Sequence, residues 1–310
     1  MNNLFAMICR PFVRPIRIVW RRLPKSVLDT RPMRRLGTFL YNHYVRDTER
    51  DQSHMTWFMR NIPQLELLRD LLSKAGHGST VRIASIGCST GAELYSALWV
   101  IRTARPDLHV VAHGVDISEH VVEIARRGVY RPGGSLLEGG LYNVTGSADL
   151  ARELVALDGL VDPAPGGAVR VKDWLRDGVS WLACDATDPS LLELLGRQDV
   201  VIARNFLGPM EDDLAEACLR NVARLAQPNG YLVVDGVDLD LKTRVMRSLD
   251  LRPVEDRIEE VHVADPTKAD WPWTRWSHEP LDRTRPDWVL RYSTIFYPAA
   301  SAVVPWLEIL

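Results

Sequence analysis

Four cysteines in 310 residues, Cys9, Cys88, Cys184 and Cys218, are too few and too scattered for a disulfide framework. No CxxC supplies metal-ligand spacing, so no metal is expected, and a reducing cytoplasm is the simpler setting. The chain lacks an apolar run approaching the roughly 18 residues that a bilayer-spanning helix needs. Its opening stretch, MNNLFAMICRPFVRPIRIVW, is broken by Arg10, Arg14, Arg17 and two prolines, which disrupts the apolar core of a secretory signal. There is no internal repeat. Charge of one sign is missing as well: 38 Lys and Arg against 40 Asp and Glu leave −2, which gives no reason to expect nucleic acid as a partner.

The asymmetry that does exist is local. Residues 1–50 hold eleven basic and three acidic side chains, a net of +8, so residues 51–310 carry −10. Residues 1–55 therefore read as a basic N-terminal arm. Its Phe5, Ile16, Ile18, Val19 and Trp20 alternate with arginines in a way that suits peripheral contact with an anionic membrane; a solvated, flexible arm is the alternative.

With 46% apolar residues the rest of the chain can bury a full core. From Gln64 onward Leu65, Leu68, Leu71 and Leu72 recur at helical spacing, with Gly76 and Gly78 as a stop. Residues 81–87 then read as a strand ending in a glycine turn, followed by a helix through Leu94, Ala97, Leu98 and Ile101. A second unit repeats the plan, with strand 109–116, Ser118 as helix N-cap and Gly128 as the stop. Paired glycines at 133–134, 139–140 and 166–167 and the Pro-Ala-Pro at 163–165 predict an irregular insertion over about 131–178. Strands at 179–184, 199–203 and 231–235 and a helix at 212–226 resume the alternation, with a turn at Pro228-Asn-Gly230. Two further strands are expected at 254–263 and 288–296. The prediction is an α/β fold with a doubly wound, mostly parallel sheet in one domain over 56–310, closed by a Trp-rich C-terminal segment.

In such sheets ligands sit beyond the carboxyl ends of the strands, where crossovers diverge. Gly87-Cys-Ser-Thr-Gly91 lies there: its glycines allow close backbone approach, and the next helix offers free N–H groups. Asp116, about 25 residues on, can accept the hydrogen bonds of a ribose diol, or else cap the next helix. Asp185 and Asn205 end the next two strands on the same rim. No GKS or GKT follows the turn, and its two glycines depart from GxGxxG, so neither a P-loop nor a dinucleotide dehydrogenase is indicated.

Together these segments resemble the CheR family of chemotaxis-receptor methyltransferases, which methylate glutamate carboxylates. Thr56-Trp-Phe-Met-Arg60, Gly87 through Ser96, Gly114 through Ser118 with Ala125 through Arg131, and Ala203-Arg-Asn205 carry the resemblance. It implies a seven-stranded, Rossmann-like class I methyltransferase fold with S-adenosylmethionine as cofactor and S-adenosylhomocysteine as product. The implied cofactor residues are Thr56, Arg60, Gly87, Ser89, Thr90, Gly91, Glu93, Asp116, Ile117, Asp185, Ala186, Arg204 and Asn205. Among them Thr56, Arg60, Gly87 and Glu93 would take the methionine end, Asp116 the ribose and Asp185 the adenine side. Arg60, Tyr95 and Asn205 are the candidate catalytic residues. The departures are Phe206-Leu-Gly-Pro209, where the family places a substrate-side Tyr, and Gly236-Val-Asp-Leu239 in place of Gly-His-Ser-Glu.

The expected reaction is methyl transfer to a carboxylate or hydroxyl of a small molecule or protein. The alternative is a catalytically silent S-adenosylmethionine-binding protein. A hydroxyl acceptor would need a base, for which His54, Asp235, His262 and His278 are candidates. Trp271, Trp273, Trp276, Trp288 and Tyr292 could wall an acceptor pocket, or else serve as a core lid.

Overall fold

The computed structural model describes residues 15–45, 54, 56–132, 140–141, 157–264, 271–273 and 279–299. Phe5, Cys9, Gly133, Gly134, Gly139, Trp276 and His278 lie outside them. Along the chain come β1 (Thr80–Ile86) and β2 (His109–Asp116), then β3 (Val129–Pro132), β4 (Gly140–Leu141), β5 (Val161–Ala164) and β6 (Ala168–Val171). β7 (Val179–Ala183), β8 (Gln198–Arg204), β9 (Ala226–Asp235), β10 (Leu251–Pro253) and β11 (Ile295–Pro298) follow.

The main sheet has seven strands in the order β10-β11-β9-β8-β1-β2-β7. The five strands from β9 to β7 run parallel, and β11 lies antiparallel to both β9 and β10. Alternate side chains of the central strands feed two cores. Val81, Ile83, Val200 and Ile202 pack with helices Ile62–Leu72 and Ala92–Ala104. Ala84, Ile86, Val201 and Ala203 pack with helices Asp212–Ala223 and Leu239–Ser248. Both faces are thus covered, which explains the near-continuous apolar runs of these strands. This is the doubly wound, mostly parallel architecture expected from the alternation.

The register aligns the strand ends. Ile86 sits opposite Val115 on one side and Ala203 on the other, Asp116 opposite Ala183, and Arg204 opposite Asp235. One rim therefore carries the residues after β1, β2, β7, β8 and β9. The chain leaves β1 toward β2 on one side and reaches β8 on the other, which opens a crevice there.

Four expectations need correction. The stretch 254–263 is largely the helix Ile258–Ala264, because Ile258 and Val261 bury one face and Glu259 and Glu260 suit its N-terminal turn. Within 288–296, Trp288–Tyr292 is a short helix and only Ile295 begins β11; short apolar runs do not declare their period. The described parts of the insertion are regular: β4-β3-β6-β5 form a second sheet, and Gly166 and Gly167, both at positive φ, turn β5 back onto β6. Pro228-Asn-Gly230 lies inside β9, opposite an irregularity in β8, where a Cβ on Gly230 would stand 2.8 Å from the Asp199 carbonyl oxygen.

The described part of the basic arm is helical and docked. Trp20 meets Trp271 and Trp273 edge-on at 5.9 and 6.2 Å, in a cluster with Leu40. Arg34 donates to the carbonyls of Pro280 and Leu281 at 2.7 and 3.0 Å.

Candidate functional site

Gly87 follows β1 at φ 68°, and a Cβ there would stand 2.5 Å from the Phe206 ring. Glycine is required twice over, for the left-handed backbone and for the close approach of two loops. Ser89, at φ 51°, donates its N–H to Asp116 Oδ2 at 2.8 Å, while Ser118 N–H donates to Oδ1 at 3.1 Å. Asp116 thus both turns the entry to the next helix and ties the β1 loop to the end of β2. Burial pushes its carboxyl pKa up, against the lowering effect of these N–H donors.

Across the crevice Asn205 is held at φ 62°, its N–H donating to the Asp235 carbonyl at 2.9 Å. A Cβ on Gly236 would fall 2.4 Å from Asn205 Oδ1, so that glycine makes room for the amide. Ser89 and Asn205 are non-glycine residues in the left-handed region, the kind of backbone strain that clusters at functional sites.

Charge is concentrated between these loops. Glu93, in the first turn of helix Ala92–Ala104, lies 3.2 Å from Arg204 Nη1 and 3.9 Å from Arg60 Nε. The two arginine side chains are only 2% and 1% exposed, and Arg60 also lies over the Trp57 ring at 4.2 Å. One carboxylate therefore faces two buried guanidinium groups. Arg204 Nε and Nη2 and both amide atoms of Asn205 are buried without a hydrogen-bond partner among the described residues. Leaving such donors unmet costs about 1–3 kcal/mol each, more where the group is charged. These atoms fit a polar, partly anionic ligand.

A cleft of about 90 Å³, partly open to solvent, occupies this crevice. Of the expected residues, Thr56, Arg60, Gly87, Ser89, Glu93, Asp116, Ile117, Ala186, Arg204 and Asn205 line it. Thr90, Gly91 and Asp185 do not. Thr90 accepts the Tyr130 hydroxyl on its carbonyl, Gly91 packs where a Cβ would meet Trp181 at 2.6 Å, and Asp185 Oδ1 accepts from Thr187. Tyr95 is also outside the cleft: it is fully buried, its hydroxyl donates to the Ala125 carbonyl at 2.9 Å, and burial pushes its pKa up to about 12. Its helix turns it inward two residues after Glu93, a direction that loop spacing alone does not reveal.

Cys184, Phe206, Pro209 and Met210 line the cleft without having been singled out as binding groups. Their adjacency to Asp185 and Asn205 was the available signal. Among the candidate bases, His54 lines the cleft, whereas His262 bonds the Glu279 carbonyl in the interior. The described residues of the expected aromatic wall lie away from the cleft: Trp271 and Trp273 cover Trp20, and Trp288 and Tyr292 pack with Leu239 and Ile258.

Residues 54–136 match the family model described as the CheR methyltransferase, SAM binding domain. Chemotaxis protein methyltransferase 1 of Vibrio cholerae serotype O1 is 26% identical over 184 residues, covering 57% of this chain and 62% of that protein. The chemotaxis protein methyltransferase of Vibrio parahaemolyticus serotype O3:K6 is 27% identical over 186 residues, with the same shares. The match thus spans slightly under two thirds of the length of these curated relatives. Magnesium protoporphyrin IX methyltransferase from Synechocystis PCC 6803 overlays at a TM-score of 0.35 and 14% identity, over 62% of this chain and 69% of that one. The matched segment supplies the first two strands of the rim, the loop that Asp116 ties down and both Arg60 and Glu93, so residues 54–136 are similar to the S-adenosylmethionine-binding domain of CheR methyltransferases.

Proposed function

We propose that residues 56–310 act as one S-adenosylmethionine-dependent methyltransferase domain whose acceptor is a carboxylate. Arg60 and Glu93 would hold the carboxylate and ammonium of the cofactor's methionine end, and Asp116 its ribose diol. Ile117, Cys184 and Ala186 would flank the adenine. The bound cofactor would supply an electrophilic methyl carbon on a sulfonium, and its transfer leaves neutral S-adenosylhomocysteine. The protein's own work is then alignment and exclusion of water.

The observation that carries the carboxylate over a hydroxyl is the pair of unmet donors on buried Arg204, beside the apolar Phe206, Pro209 and Met210. A carboxylate is already anionic and needs a guanidinium to orient it, not a base. The full chain incubated with methyl-labelled cofactor and cell extract supplies the test. Label on a carboxylate is released as methanol by mild alkali, whereas label on a hydroxyl is not. Arg204→Ala is expected to cut transfer at least tenfold. Alkali-stable label would refute the carboxylate, and saturable cofactor binding without transfer would favour a silent binding protein.

A second reading concerns location. The described part of the N-terminal segment exposes Ile16, Ile18, Val19, Val27, Leu36 and Phe39 among Arg21, Arg22 and Lys25. Among the described residues no helix is long and apolar enough to cross a membrane. This mixture suits peripheral attachment to anionic lipid. Flotation with anionic but not neutral vesicles is expected; equal failure with both at low salt would remove the idea.

A further inference from the structure

A second cleft, of about 710 Å³, lies between helix Arg31–Leu40, helix Leu239–Ser248 and the segment 279–291. It shares no lining residue with the crevice at the strand ends. Six arginines line it, Arg31, Arg34, Arg35, Arg247, Arg285 and Arg291, against four carboxylates. All four carboxylates are engaged. Glu279 and Asp240 lie 2.6 and 2.5 Å from Arg291, and Asp287 holds Arg285 through both oxygens. Asp282 accepts from Thr284 and lies 4.0 Å from Arg34, whose donors are otherwise spent on backbone carbonyls.

Three guanidinium groups remain. Arg31 donates to the Thr284 hydroxyl at 3.2 Å and feels Asp282 at longer range, and Arg35 and Arg247 meet no hydrogen-bonding or ionic partner among the described residues. Arginine cannot shed its proton, so cations gathered in one cleft repel one another to the extent that solvent or an anion does not screen them. The planar guanidinium fork matches phosphate oxygens, and a volume within roughly 300–1,000 Å³ is that of a small-molecule site.

We propose that this cleft binds a phosphate-bearing small molecule, its phosphate held by Arg31, Arg35 and Arg247. The ligand would bridge the N-terminal helix, helix Leu239–Ser248 and the C-terminal segment. It would thereby fasten the basic segment to the body of the protein from the side opposite the tryptophans.

Calorimetry on the full chain tests this with inorganic phosphate, pyrophosphate and adenosine diphosphate in turn, at constant ionic strength. Saturable binding of at least one probe is expected, weakened about tenfold or more in the doubly substituted Arg35→Gln, Arg247→Gln protein. S-adenosylmethionine affinity, measured alongside, should stay unchanged, which separates failure here from failure of the methyltransferase reading. Both arginines are exposed, so the fold should survive their replacement. Arg22→Gln, outside the cleft, serves as control. Absence of saturable binding by all three probes, equal binding by the double variant, or an equal loss in the Arg22 control would each overturn the proposal.

Discussion

Replacing Glu93 by Gln removes the one carboxylate between Arg60 and Arg204 while keeping its volume, so no cavity is created. At 3.2 and 3.9 Å, and an effective permittivity of roughly 20, the two attractions are worth about 5 and about 4 kcal/mol. Desolvation of the carboxylate, several kcal/mol, offsets part of this. What remains is two guanidinium groups, 1% and 2% exposed, that have lost the carboxylate they share. Removing one partner of a buried ion pair typically costs about 3–5 kcal/mol, and that is the expected loss here. Urea denaturation followed by circular dichroism measures it, the midpoint falling while the slope stays constant. Cofactor affinity should fall with it, since the same oxygens are assigned to the ammonium. A loss below about 1 kcal/mol, the worth of an exposed pair, would refute the picture of a buried charged triad.

Asp116→Ala is expected to weaken S-adenosylmethionine binding by about 1–3 kcal/mol, read by calorimetry, through loss of charge-assisted bonds to the ribose. The ionised carboxylate is the form that accepts hydroxyl donors, and burial raises its pKa. Affinity in the wild type should therefore be full at neutral pH and fall on acidification, beginning above the ordinary carboxylate range of about 3.9. Gly87→Ala should cost about 1–3 kcal/mol of stability and abolish cofactor binding, because its Cβ meets Phe206 at a left-handed backbone position. Adding Phe206→Ala should recover part of the stability in thermal denaturation. Tyr95→Phe should cost about 1 kcal/mol by leaving the Ala125 carbonyl unmet. The transfer rate should then be unchanged, whereas a large rate loss would restore Tyr95 to the chemistry.

The rim was legible because its parts are local. Strand, glycine turn and helix cap are written in consecutive residues, and register then brings Gly87, Asp116 and Asn205 together without further information. Ten of the expected site residues line the cleft, eight of them at the ends of the rim strands or on the loops and helix that follow; Thr56 and Arg60 come from the segment before the first of these strands. Direction within an element was less legible: Tyr95 and Thr90 belong to the right segment but point into packing. The tail was read poorly because its apolar runs, such as Val261 and Val263, fit either period. What decided them was long-range. Asn61 donates to the Val261 carbonyl at 2.9 Å, and Glu279 holds Arg291. The aromatic residues carried no address either, since an indole serves equally well over a ligand and over another indole.

The knot of Trp20, Trp271 and Trp273 joins parts of the chain some 250 residues apart. It also rests on Gly37, where a Cβ would lie only 2.1 Å from the Trp271 ring. A protein shortened to begin at residue 54 would keep every group that lines the cleft yet uncover two indoles at once. Bare aromatic surface of that kind invites self-association, so poor behaviour of such a fragment would report a lost cover and not a lost catalytic fold.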